Sequence, residues 1–148
     1  MIEVKGKAGI SVKVVAHSVS DHGDELITFE VNHHRWILAE INKHRMLSNN
    51  YQSSRAVKIG TAIQNVIDNP AMPIVWGKEQ TGMQSGEYFT PTDHFHFDID
   101  GDVYSDTLNG LWRRTAKAVA VLAKGFEKIG LHKQWVGRII EPFTMTRG

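Results

Sequence analysis

A long amphipathic stretch near the end of the chain constrains the fold more than any other feature. From Ser105, a suitable N-cap, to about Ile129, apolar residues recur at helical spacing. They are Leu108, Leu111, Trp112, Thr115, Val119, Leu122, Ala123 and Phe126. Gly130 follows, and glycine commonly ends a helix because it tolerates positive φ. The pattern predicts one long helix with an apolar face that the rest of the chain must cover.

The other segments predict a mixed architecture. β-branched residues that partly alternate with polar ones predict strands at 2–4, 10–16 and 26–31, with a turn at Gly23 between the last two. Helical spacing predicts further helices at 35–46, 56–67 and 132–140, the last one stopped by Pro142. The Gly-, Thr- and Ser-rich segment 75–93 is expected to be irregular. We therefore expect one α+β domain over 1–148, a small antiparallel sheet packed with several helices.

Composition excludes several classes of protein. The chain contains no cysteine, which rules out disulfides, zinc–thiolate sites and cysteine nucleophiles. Its formal net charge is +1, too close to neutral for a protein that coats nucleic acid. The start of the sequence lacks the apolar run of a signal peptide, and no apolar window is long enough to span a membrane. We expect a soluble cytoplasmic protein with no membrane or nucleic-acid partner.

The stretch "KHRMLSNNYQSSR", from Lys43 to Arg55, concentrates hydrogen-bond donors. Its cations can make charge-assisted hydrogen bonds, and arginine suits phosphate because its planar fork binds two oxygens at once. On the predicted helix that precedes it, Glu40, Lys43 and His44 share one face. The pattern indicates an anion site such as a bound nucleotide. The alternative from composition alone is a solvated helix end with a polar loop.

The spacing of this stretch resembles the signature of flavin-dependent thymidylate synthases, R-H-R-x-x-S-x-N-x-x-S-x-R. Lys43 replaces the first arginine, and the six other fixed positions match: His44, Arg45, Ser48, Asn50, Ser53 and Arg55. The flanking "TFEVNHHRWILAEINKHR" and "NPAMPIVWGKEQTGMQS" are also similar to family segments. Arg138 stands four residues before Pro142, as an arginine does in the family's later helix. The resemblance extends over about 16–143.

The resemblance implies reductive methylation of dUMP to dTMP. It implies FAD as cofactor, NADPH and methylenetetrahydrofolate as co-substrates, and a homotetramer with shared active sites. No cysteine nucleophile takes part in this class, which agrees with the composition. The flavin carries the difficult chemistry, and the protein orients and polarises the reactants.

The resemblance also implies roles for individual residues. Flavin contacts fall on Lys43, His44, Arg45 and Tyr51, and on Ser20 in the loop before the third strand. Contacts to dUMP fall on Glu40, Lys43, Tyr51, Gln52, Ser53, Ser54, Arg55 and Arg138, with Ser53 and Arg55 on the phosphate. An ionised Glu40 can only accept hydrogen bonds, so it suits a ribose hydroxyl or the uracil N3–H and would repel phosphate.

The sequence departs from the family in two ways. Lys43 cannot reproduce the bidentate contact of arginine. Relatives continue beyond the position of Pro142 through further flavin contacts and an arginine that polarises the uracil ring, which has no counterpart here, so no catalytic residue is assigned. We expect a chain that lacks the family's C-terminal segment and does not turn over fully without a second piece. The alternative is a non-catalytic nucleotide-binding or assembly module with the same fold.

Three other features have weaker interpretations. His94, His96 and the aspartates Asp98, Asp100 and Asp102 imitate metal ligands, but the spacing fails the calcium-loop pattern, and a strand with one apolar face explains "HFHF" better. For His33 and His34, burial or an interface is favoured over catalysis. Trp76 and Met83 suit either a folate or flavin ring or ordinary core packing.

Overall fold

The computed structural model describes residues 2–53, 56–82 and 86–148. The elements along the chain are β1 (Glu3–Lys5), β2 (Ser11–Val19), β3 (Glu25–His34), α1 (Leu38–Ile41), α2 (Ile59–Asp68), β4 (Trp76–Gly77), β5 (Tyr88–Phe89), β6 (His94–Ile99), β7 (Asp102–Thr107), α3 (Leu108–Lys128), α4 (Lys133–Ile140) and β8 (Met145–Arg147). Short 3-10 turns cover Lys7–Gly9, Arg35–Ile37 and Glu141–Phe143. Antiparallel sheets combined with helices confirm the expected α+β class.

The main sheet is antiparallel, with strand order β1-β2-β3-β8. Its first three strands follow one another along the chain, and β8 returns from the C-terminal end to pair with the last residues of β3. In that pairing His33 lies opposite Thr146, and His34 lies opposite Met145. The return of β8 brings the two ends of the sequence together at one end of the sheet.

The hydrophobic core lies among α2, α3 and α4 and not beneath the sheet. Its buried residues are Ile63, Val66, Ala116, Ala120, Ala123, Val136, Ile140 and Phe143. The three alanines recur along one face of α3, and their small side chains let the neighbouring helices approach closely. The predicted apolar face of the long helix is therefore covered only in part: the buried face is centred on Ala116 and Ala120, and Thr115, Leu122 and Phe126 of the predicted stripe are exposed.

An aromatic cluster joins this helical core to the sheet. Trp36 stacks on His34 with ring centroids 4.4 Å apart and meets the edge of Trp112 at 6.0 Å. Trp112 also contacts Phe143, and its indole N–H donates to the Ala71 carbonyl over 2.8 Å. These contacts fix the end of β3 against the helices, which matters because the site described below is built at that end.

The limits of the long helix differ slightly from the prediction. Thr107 is the N-cap, with its side chain accepting from the Gly110 N–H over 3.2 Å, whereas Ser105 lies within β7. At the other end Gly130 has φ of 82°. The N–H groups of Gly130 and Leu131 bond back to the carbonyls of Glu127 and Phe126, a Schellman arrangement that confirms the predicted stop.

The predicted helix over 35–46 is wrong beyond Ile41. Only a 3-10 turn and the four residues of α1 are helical, and α1 contains no buried residue. Met46 is 95% exposed, so the end of the predicted helix meets no apolar surface. A short helix without tertiary packing is marginal, which explains the early stop. The helix predicted from Ala56 begins at Ile59, because the backbone of Lys58 is extended, with φ of −61° and ψ of 132°, and Lys58 is the N-cap.

The chain exposes more surface than a compact monomer of its size. Its accessible surface is 11150 Å², whereas a 16.7 kDa monomer is expected to expose about 7,600 Å². Both faces of β2 and β3 carry exposed large hydrophobic residues, among them Val15, Leu26 and Phe29. Within the described ranges, no helix has the length and apolar character needed to cross a membrane.

Candidate functional site

The predicted cations after α1 lie on an exposed series of turns. The N–H groups of Lys43 and His44 bond to carbonyls three residues earlier, those of Glu40 and Ile41, over 3.1 Å each. Glu40, Lys43, His44 and Arg45 are all exposed. The bond from the Lys43 N–H to the Glu40 carbonyl keeps these two residues close together. The helical face predicted to carry Glu40, Lys43 and His44 does not form, because α1 ends at Ile41.

Tyr51 is tied to the end of the main sheet. Its hydroxyl lies 3.0 Å from His33 Nε2, and the two rings meet edge to face. The His33 Nδ1 lies 2.7 Å from the His34 carbonyl. A carbonyl can only accept, so Nδ1 carries the proton, and Nε2 of a neutral ring then accepts from Tyr51. Burial raises the pKa of Tyr51, which keeps the hydroxyl protonated and able to donate.

The rest of the loop is held by backbone contacts. The Gln52 N–H donates to the Arg147 carbonyl over 2.9 Å, and the Tyr51 ring lies so close to Gly148 that a side chain there would overlap it. The Ser53 carbonyl accepts from Ala56 and turns the chain toward α2. Ser54 and Arg55, two of the predicted dUMP contacts, lie outside the described residues.

Arg138 belongs to a three-residue ion network. One carboxylate oxygen of Glu141 accepts from Arg35 Nε over 2.6 Å, and the other accepts from an Arg138 Nη over 3.1 Å. Partial burial pushes the pKa of Glu141 upward, but the hydrogen bonds from Arg35 and Arg138 outweigh it and hold the pKa below its ordinary value. The Arg138 side chain is 64% exposed, so the other donors of its guanidinium face solvent.

The stretch His33–Arg35 therefore organises the site. Tyr51 is bonded to His33, and Arg138 is linked through Glu141 to Arg35, two positions further along. The tertiary structure thus brings the polar loop and Arg138 to one end of the sheet, although 87 positions separate Tyr51 from Arg138 in the sequence.

His34, between these two anchors, is buried and stacked on Trp36. Its Nε2 has no hydrogen-bond partner. Burial lowers the pKa of His34, and a hydrogen bond to the backbone of Ala8 only partly offsets this. The ring is therefore neutral at physiological pH. Both His33 and His34 are buried, which is one of the two arrangements, burial or an interface, that the sequence favoured.

Ser20 lies far from this neighbourhood within one chain. Its hydroxyl accepts from the N–H groups of His22 and Asp24 in the turn between β2 and β3. Strand β3 separates that turn from His33, and at about 3.3 Å per residue the separation is roughly 25 Å. In a single chain the role of Ser20 is to shape the hairpin turn, and it can reach the Tyr51 loop only from another subunit.

The remaining candidates that the structure describes take part in strand pairing or in contacts between side chains. His94 and His96 lie on β6, which pairs with β7 as the strand interpretation expected. Within the residues that the structure describes, no group of three His, Asp or Glu side chains is placed to hold a metal ion. Trp76 donates from its indole N–H to Asn109 and meets the edge of Trp112. Met83 lies outside the described ranges.

Two partners of the site were not predicted from the sequence. Glu141 stands three residues after Arg138, a spacing that favours an ion pair on a helix, so a local signal existed. The bond between His33 and Tyr51 has no local signal, because it depends on how the loop folds back. Comparison of the chain with family models, curated proteins and solved structures finds no match.

Proposed function

We propose that this chain is a subunit of a flavin-dependent thymidylate synthase, which converts dUMP to dTMP with FAD, NADPH and methylenetetrahydrofolate. The observation that carries the proposal is the agreement between motif spacing and tertiary contact. The loop that matches the nucleotide-binding motif and the distant Arg138 are both anchored at His33–Arg35. Two segments that the resemblance assigns to one ligand are thus linked to the same end of the sheet.

The nucleotide contacts follow from the chemistry of these groups. The anchored Tyr51 fixes the start of the loop, so that the polar side chains of Gln52 and Ser53 are presented with little loss of conformational entropy on binding. Arg138 offers its solvent-facing donors to the anionic substrate while Glu141 holds one edge of its guanidinium. Glu40 suits the ribose or the uracil N3–H, since a carboxylate only accepts.

The residues assigned to the flavin fit an anionic dinucleotide. Lys43, His44 and Arg45 are consecutive and exposed. They form a local cluster of basic side chains in a chain whose net charge is only +1. Their donors suit the pyrophosphate. A bound flavin would supply the redox chemistry, and these side chains would bind and orient it.

The site of one chain is open, which supports the proposed homotetramer with shared active sites. Residues 43–50 are all exposed. Of two surface cavities, one of about 490 Å³ lies at the start of α2, and the other, of about 470 Å³, is lined by Arg138 together with Leu131, Trp135 and Ile139. The excess of exposed surface and the distance of Ser20 from Tyr51 agree with a site completed by a second subunit.

The test combines binding with chemistry. We expect purified protein to show a flavin absorption spectrum and to bind dUMP in calorimetry. Arg55→Ala should abolish dUMP binding, whereas Lys13→Ala, which removes a cation from β2, should leave it unchanged. Rescue of a thymidine auxotroph by the chain would support turnover; dUMP binding without rescue would favour the non-catalytic module. The absence of both flavin and dUMP binding would exclude the proposal.

A further inference from the structure

Charges of opposite sign are segregated on the surface of this nearly neutral chain. No lysine or arginine occurs between Tyr88 and Trp112, and the hairpin β6–β7 with its turn carries Asp98, Asp100, Asp102 and Asp106. The helices α3 and α4 have Glu127 as their one acidic residue and carry many cations: Arg113, Arg114, Lys117, Lys124, Lys128, Lys133 and Arg138. Since the net charge is +1, this is a separation of charge and not an excess.

Neither set of charges is neutralised within one chain. In the described ranges, the ion pair of Arg138 with Glu141 is the only one that involves α3 or α4, and no ion pair involves an aspartate of the hairpin. Arg114 lies over the Tyr104 ring at 5.1 Å, Lys124 donates to Gln64, and Asp98 and Asp106 accept from backbone N–H groups. None of these contacts supplies a group of opposite charge. Like charges gathered without counter-charges raise the free energy of the folded chain unless a partner supplies the opposite sign.

Exposed apolar side chains accompany both charged surfaces. The outer half of the hairpin exposes Phe97, Ile99 and Val103. The helical surface exposes Val121, which is one turn from both Lys117 and Lys124, and Trp135 on α4. The hairpin forms a sheet of two strands only, and such a hairpin is marginal without packing on another surface. Large exposed hydrophobic residues surrounded by charge are typical of an interaction surface.

We propose that the acidic hairpin β6–β7 of one copy docks on the basic surface of α3 and α4 of a second copy. Every copy carries both halves of this contact, so the chain is complementary to itself. Pairing α3 with α3 instead would bring Lys117 and Lys124 close to their counterparts, which is repulsive.

The contact between the hairpin and the helices does not depend on the enzymatic activity proposed above. The contact pairs two different surfaces, so two copies can form it twice about a two-fold axis or once in a head-to-tail array. Complementary potentials give such a contact its specificity and make its strength depend on salt.

Charge reversal tests the proposal, with the assembly measured by sedimentation velocity and the fold by circular dichroism. One variant combines Lys117→Glu with Lys128→Glu. The other combines Asp102→Lys with Asp100→Asn, because Asn tolerates the positive φ of position 100. We expect the wild type to be oligomeric and each variant to associate about tenfold or more weakly. Association should recover when the substitutions of both variants are combined in one chain. Lys5→Glu with Lys7→Glu, the same change of charge on the sheet edge, should leave the association intact.

Disulfide trapping provides a second measurement, because the chain has no cysteine of its own. Asp102→Cys protein is mixed with Lys117→Cys or Lys128→Cys protein under mild oxidation, and a covalent dimer should form in at least one mixture in preference to each protein alone. Monomeric wild type, association that survives both reversals, loss through the helix variant only, or covalent dimers confined to identical copies would each overturn the proposal.

Discussion

The hydroxyl of Tyr51 lies 3.0 Å from Nε2 of His33, and this bond connects the polar loop to the last buried residues of β3. Nδ1 of the same ring donates to a backbone carbonyl, which fixes the orientation of the imidazole, and in the neutral tautomer Nε2 accepts from the Tyr51 hydroxyl. The loop that follows the Lys43–Arg45 cations is therefore held by a partly buried polar contact, and its conformation depends on the sheet.

Replacing Tyr51 with phenylalanine should destabilise this attachment. The variant leaves His33 Nε2 without its donor, and the loss of one such hydrogen bond costs about 1 kcal/mol of unfolding free energy. Urea denaturation measures the loss, and faster hydrogen exchange at the Gln52 amide would show the loop loosening. Tyr88→Phe, at an exposed tyrosine, is the control; equal effects of the two substitutions would argue against an anchoring role for Tyr51.

The Glu141 network makes stability depend on acid pH. The folded-state pKa of Glu141 lies below its ordinary value of 4.5, so its contribution is present above pH 4.5 and is lost as the pH falls through the folded-state pKa. Glu141→Gln should therefore lower the free energy of unfolding at neutral pH, and the difference from wild type should shrink on acidification. Urea titrations at several pH values measure it; a difference that is constant with pH would contradict the network.

Arg138 should contribute to nucleotide affinity without being needed for folding. Arg138→Ala removes charge-assisted hydrogen bonds, and the dissociation constant for dUMP should rise by about tenfold to a hundredfold. Calorimetry measures the change, with Arg113→Ala on α3 as the matched control. Since the Arg138 side chain is 64% exposed, the melting temperature should change little. An unaltered dUMP affinity would remove Arg138 from the site.

Two glycines near the end of α3 should respond in opposite directions to alanine. Gly130 has φ of 82°, which strains any residue with a Cβ, so Gly130→Ala should cost about 1 kcal/mol. Gly125 lies within the helix and a Cβ there would meet no atom within 4 Å, so Gly125→Ala should stabilise by up to about 1 kcal/mol. Thermal unfolding compares them, and destabilisation by both would contradict the assigned helix end.

Local patterns in the sequence were sufficient for the elements whose stability is itself local. The long helix, its stop at Gly130 and the hairpin of β2 with β3 follow from periodicity and from turn residues, which act over a few positions. The motif from Lys43 to Arg55 is likewise a matter of spacing, and it supports the proposed ligands without any coordinates.

Only the tertiary structure decided where the helix after β3 stops and what holds the site. Residues 42–46 have helical spacing, but Met46 at their end is 95% exposed. Because these residues would gain no burial in a helix, α1 does not continue beyond Ile41. The bond of Tyr51 to His33 and the link from Arg138 through Glu141 to Arg35 join positions that no local pattern relates. They form because β8 returns to pair with β3, and the free energy of that pairing depends on the packing of the whole chain.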